Sequence, residues 1–127
     1  MTDDAKKILV VDDDPDARDY LAAVLRDNGF VAATAVDGIE AMAAIEQTTP
    51  DLVTLDITMP QQSGVAVYRK LKEDDRLKAI PVIIVTGISD DFRRFISTRR
   101  QVPAPEGYLT KPVDHKQFLE MVRGLLG

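Results

Sequence analysis

Short apolar runs alternate along the chain with longer segments whose apolar positions recur every three or four residues. The runs are ILVV at 8–11, VAATA at 31–35, LVTL at 52–55, PVIIV at 81–85 and YL at 108–109. They are continuous rather than alternating, the pattern of strands covered on both faces. The second and fifth are weak and specify no strand in isolation. Between the runs, Ala17, Tyr20, Leu21, Val24 and Leu25 share one helical face, as do Phe118, Met121, Val122 and Leu125. Phe92, Phe95 and Ile96 repeat the theme more briefly. Asp14 ahead of Pro15 predicts an N-cap with proline in the first turn, and Asp37 with Glu40 predicts a capping box. Ser63 and Asp114 are further candidate caps, and Gly29 is a natural stop for the first helix.

The order is strand then helix, five times over. Such alternation predicts an α/β fold: a parallel sheet with right-handed crossovers and helices on both faces. All strand C-termini then line up along one edge, and ligands bind there, in the crevice where the strand order reverses.

Length and composition narrow the picture. At 127 residues, 45% apolar and 29% charged, the chain is expected to form one domain, residues 1–127. Cysteine is absent, which excludes disulfides and thiolate metal sites and suits a reducing cytoplasm. His115 is the only histidine, so a histidine-based zinc site is excluded too. No apolar run approaches ~20 residues, and a membrane span is not expected. A net charge of -5 argues against general nucleic-acid binding.

The residues that close the runs carry the chemistry. The first run delivers Asp12 and Asp13, the third Asp56, the fourth Thr86 and the fifth Lys111. Each has a bland reading by itself: a turn-forming aspartate, a β-branched strand residue, a surface lysine. Their convergence on one sheet edge is the sharper signal. Carboxylates without histidine or thiol form a hard oxygen site suited to Mg²⁺, or to Mn²⁺. A metal, an ammonium and a hydroxyl are what a transferring phosphoryl group needs around its oxygens. One carboxylate remains as nucleophile, giving an aspartyl phosphate. Asp56 is the best candidate, because it ends the central strand while Asp12 and Asp13 can share the metal.

The segments "VVDDDP", "DLVTLDITMPQQSG", "IIVTG" and "YLTKP" resemble, in order and spacing, the receiver domain of two-component response regulators. The resemblance covers essentially the whole chain. It implies a doubly wound, flavodoxin-like five-stranded sheet of order 2-1-3-4-5, with Asp56 as phosphoacceptor. It also implies Mg²⁺ held by Asp12, Asp13, Asp56 and the backbone carbonyl of Thr58, with Lys111 and Thr86 contacting the phosphoryl oxygens. Met59, Pro60 and Gly64 match the family's turn, Gly87 its small residue, and Lys111-Pro112 a bond usually cis. Tyr108 stands at the aromatic switch position, coupled to Thr86, and would repack the face formed by the fourth helix, fifth strand and last helix. The implied role is a regulatory phosphoacceptor rather than a turnover enzyme, catalysing only its own phosphorylation and slow dephosphorylation. The implied partners are a sensor histidine kinase or phosphotransfer protein and a downstream protein target, with a phosphorylation-dependent homodimer allowed. The implied location is the cytoplasm.

Two features depart from the family pattern. The segment between Thr86 and Lys111 is long, with "RRQVPAPEG" leading into the fifth strand, so the loop 101–106 borders the output face. Arg93, Arg94, Arg99 and Arg100 concentrate positive charge in the fourth-helix region, either as a solvated face or as a docking surface for an acidic partner or for self-association. Ile88, two residues after Thr86, is apolar and is expected to hinder attacking water. Two other classes compete with this reading. "VVDDDP" also contains the apolar-DxD of a haloacid-dehalogenase-type phosphohydrolase, with Asp12 as nucleophile and Asp14 as acid/base. That assignment leaves Asp56 without a role. A pure interaction module would have no use for the intact set of Asp12, Asp13, Asp56, Thr86 and Lys111.

Overall fold

The computed structural model describes residues 5–57, 63–87 and 106–126. Expectations for Thr58, Met59, Pro60, Ile88, Phe92, Arg93, Arg94, Phe95, Ile96, Arg99, Arg100 and positions 101–105 lie outside the described residues. Five strands are present: β1 (Lys7–Val11), β2 (Val31–Ala35), β3 (Leu52–Asp56), β4 (Val82–Thr86) and β5 (Gly107–Thr110). The helices among the described residues are α1 (Pro15–Asp27), α2 (Gly38–Gln47), α3 (Ser63–Glu73) and α4 (His115–Leu126). The strands form one parallel sheet in the order β2-β1-β3-β4-β5.

Successive side chains of a strand point to opposite faces, and each face has its own core. On one side Ile8, Val10, Leu52, Ile83 and Val85 pack against Leu21, Ala22 and Leu25 of α1 and Phe118 and Val122 of α4. On the other, Leu9, Val11, Val53, Leu55 and Ile84 meet Ala41 and Ile45 of α2 and Val67, Tyr68 and Leu71 of α3. Each fully buried Leu or Ile contributes about 1.5–3 kcal/mol. The strands β3 and β4 are buried at every position, which explains their unbroken apolar runs. The two weak runs are the edges: β2 pairs only with β1, and β5 only with β4.

Helix ends follow the sequence with two corrections. Asp14 caps α1 by accepting the Asp16 N–H at 3.1 Å, and Asp114 accepts from Lys116 N–H at 3.2 Å. At the end of α1, Gly29 has φ +88, and Phe30 N–H reaches the Leu25 carbonyl at 3.1 Å. That is a Schellman closure, which needs a residue without a Cβ penalty in the left-handed region. Asp37 accepts from Glu40 N–H at 2.8 Å, but the Glu40 carboxylate accepts from Val36 N–H rather than from the cap's own N–H. Ser63 is the first residue of α3 rather than the cap before it. Tyr20 also departs from its expected core face. It is half-exposed, Ala22 is buried instead, and its hydroxyl donates to the Val113 carbonyl at 3.3 Å.

Candidate functional site

The strand order reverses between β1 and β3, so their carboxyl ends open the crevice predicted for ligands. Val11 is in register with Leu55, which sets Asp12 beside Asp56 one step further on. Both acids are nearly inaccessible, at 1% and 2% relative exposure. Asp13 points outward beside them, and one carboxylate oxygen from each of the three lies within 4.8 Å of the others. Thr86 ends β4, fully buried, and is in register with Thr110. Its carbonyl accepts the Lys111 N–H at 2.8 Å, so the ladder carries Lys111 to the same rim.

The Lys111 ammonium reaches inward to both buried acids. It donates to Asp56 Oδ2 at 3.2 Å and stands 3.0 Å from Asp12 Oδ2. The second contact is an ion pair, and Asp12 Oδ2 is the buried polar side-chain atom without a hydrogen bond among the described residues. Burial raises the Asp12 pKa above its ordinary value, with the neighbouring Asp56 adding to the rise. The Asp14 N–H and Lys111 only partly offset this. For Lys111, burial works against the charged form, but the Asp12 contact and the charges of Asp56 and Asp12 outweigh it and the pKa rises. The peptide bond that follows Lys111, to Pro112, is cis.

Three clustered carboxylates, two of them buried, share one ammonium, which leaves an excess of negative charge, and Asp12 Oδ2 has only the Lys111 ion pair. That is the donor set of a hard divalent cation. Asp14, the acid/base of the phosphohydrolase alternative, is instead the exposed cap of α1 and lies outside the cluster. Gly64 has a steric reason. A Cβ there would collide with the Asp56 carbonyl oxygen and lie 2.9 Å from Ile57 Cα, so only glycine lets α3 start against the end of β3. At Gly87 a Cβ would meet nothing within 4 Å among the described residues. Tyr108 lies half-exposed on β5, in register with Ile84.

A family model described as the response regulator receiver domain matches residues 8–123. The chain belongs to this family. Among similar proteins, protein PilH of Pseudomonas aeruginosa is 36% identical over 120 residues, covering 94% of this chain and 97% of PilH. The DNA-binding dual master transcriptional regulator RpaA of a Synechocystis species is 37% identical, covering 94% of this chain and 48% of RpaA. This receiver thus spans about half the length of RpaA and of the MtrA response regulators it also resembles. Among solved structures, the receiver domain of a Syntrophus aciditrophicus histidine kinase superposes with a TM-score of 0.84 at 31% identity. That match covers 96% of this chain and 90% of the other. The Vibrio cholerae chemotaxis protein CheY4 gives 0.81 at 25% identity, over 96% and 99%. The receiver is a regulatory module of two-component signalling, and no helix among its described residues is long and apolar enough to cross a membrane.

Three contacts escaped the sequence. Lys72 has a buried ammonium 3.0 Å from Glu106, donating also to the carbonyls of Lys78 and Ile80 at 3.2 Å. Glu106 in turn accepts the Val82 N–H at 2.8 Å, tying β4 to the lead into β5. The signal was present: Lys72 is four residues after the buried Tyr68 and shares its helical face. The other two are the Tyr20 hydroxyl and the Arg18 guanidinium, which bonds a carbonyl that no sequence pattern marks.

Proposed function

We propose that this receiver, taken as residues 1–127, accepts a phosphoryl group on Asp56 from a phosphohistidine of a sensor histidine kinase or phosphotransfer protein. The observation that carries this reading is the convergence on one buried point. Lys111 Nζ is 3.2 Å from Asp56 Oδ2, within a cluster of three carboxylates. In the transfer, an Asp56 oxygen bonds to phosphorus as the P–N bond breaks and the imidazole leaves with the electron pair. Lys111 steadies the equatorial oxygens, and the Thr86 hydroxyl donates to them. Asp12, Asp13, Asp56 and the carbonyl of Thr58 hold Mg²⁺, or Mn²⁺, which neutralises the phosphoryl charge when bound.

The acyl phosphate then draws Thr86 toward it, and Tyr108 turns inward. This biases the surface around β5 and α4 toward a second packing that a downstream protein, or a second copy of the chain, recognises. Slow self-hydrolysis resets the switch. The setting is the cytoplasm, and this domain itself has no role for nucleic acid or membrane.

Incubation with Mg²⁺ and acetyl phosphate, followed by intact mass, tests the proposal. The protein should gain one phosphate, and Asp56→Asn should gain none. Labelling that survives in Asp56→Asn, or turnover of phosphate esters through Asp12, would overturn it.

A further inference from the structure

Asp12 is pinned at every polar atom but one. Its N–H donates to the Ala35 carbonyl of β2 at 3.1 Å, and its Oδ1 accepts the Asp14 N–H at 2.9 Å. Its backbone carbonyl, where the β1 ladder ends, accepts from Arg18 Nη1 at 3.1 Å. Only Oδ2 is left to the site. Arg18 sits in the first turn of α1, and helical side chains lean toward the N-terminus, so its guanidinium reaches back over that turn. The exposed acids Asp13, Asp14, Asp16 and Asp19 are its neighbours in sequence, yet among the described residues it makes no ion pair with a carboxylate.

From this geometry we infer that Arg18 is a positioning residue for the divalent-cation site. The inference deepens the proposed function and rests on it. The Asp12 carbonyl and the Asp13 N–H belong to one planar peptide unit. A donor that fixes the carbonyl therefore fixes the direction in which the chain leaves β1, and with it the placement of the Asp13 carboxylate. One guanidinium orients two of the three acids while touching neither side chain. Groups that orient metal ligands from behind typically change affinity by about 10–100-fold when removed. Electrostatics alone predicts the opposite sign, since deleting a positive charge beside a cation site should tighten binding. The two roles are thus separable by direction.

The test compares the full chain with Arg18→Met, which loses both charge and donor, and Arg18→Lys, which keeps the charge and one donor. Mn²⁺ affinity is read by calorimetry, Tm by circular dichroism, and the Asp13 amide chemical shift by NMR in metal-free protein. Positioning requires Arg18→Met to weaken Mn²⁺ about 10-fold and to shift the Asp13 amide resonance, with Arg18→Lys restoring most of both. Unchanged or tighter binding in Arg18→Met overturns the assignment, as does a lower Tm with unaltered affinity. Wild-type protein that binds no Mn²⁺ would instead sink the proposed function, whatever the Asp13 amide does.

Discussion

Gly64→Ala adds one methyl group and asks whether α3 and the acceptor strand are as tightly seated as the structure has them. The added carbon would lie 2.9 Å from Ile57 Cα and 3.0 Å from the Asp56 carbonyl carbon, and closer still to the Asp56 carbonyl oxygen. All three are backbone atoms, so no side chain can swing aside. Relief requires α3 to withdraw from β3 by about an ångström or Asp56 to move with it, an overpacking cost of about 1–3 kcal/mol. For a domain of this size that lowers Tm by roughly 3–15 °C. A reacting group displaced by about an ångström loses about 10²-fold in rate. Phosphorylation by acetyl phosphate should accordingly slow by about 10–100-fold, followed as the initial rate of one-phosphate mass gain. Gly87→Ala is the control for stability. The same methyl group meets nothing within 4 Å there among the described residues, and the stability should stay within about 0.5 kcal/mol of wild type. A Gly64→Ala protein with the wild-type Tm and rate would refute the steric account. A lower Tm with an unaltered rate would refute its extension to Asp56.

Other outcomes follow from the same contacts. Lys72→Met should destabilise the fold by about 2–4 kcal/mol in urea titration, because it strips the donor from two carbonyls and leaves Glu106 unpaired. Glu106→Gln keeps an acceptor for Val82 N–H and should cost only about 1 kcal/mol. Asp12 carries a raised native pKa, so the native state binds more protons above the unfolded value of 3.8. Its stabilising contribution is complete below that value and is lost as pH rises through the native pKa. In EDTA, Asp12→Asn should therefore be the more stable protein at neutral pH and lack that part of the decline, measured by urea midpoints from about pH 4 to pH 8. A less stable Asp12→Asn at neutral pH would contradict the sign.

Much of the fold and site was legible because parallel α/β architecture writes itself locally. Unbroken β-branched runs mark strands buried on both faces, as in β3 and β4, and caps such as Asp14 and Asp37 mark where helices begin. Once the strands are parallel, the residue ending each run must reach one edge. That is how Asp12, Asp13, Asp56, Thr86 and Lys111 could be placed at one rim from the sequence. The edge strands β2 and β5 were the faintest, since each leans on a single neighbour for its pairing.

What the tertiary structure decided are relations between residues that no local pattern encodes. The burial of Lys72 against Glu106 joins positions 34 apart in sequence, and Tyr20 with Val113 joins positions 93 apart. That Gly64 must be glycine depends on how closely α3 approaches the Asp56 backbone, a distance set by the packing of Val67, Tyr68 and Leu71 on the sheet. Periodicity tells which face of an element is buried. Only the packed chain fixes how far that face lies from the next atom, and between Gly64 and the Asp56 backbone that distance leaves no room for a methyl group.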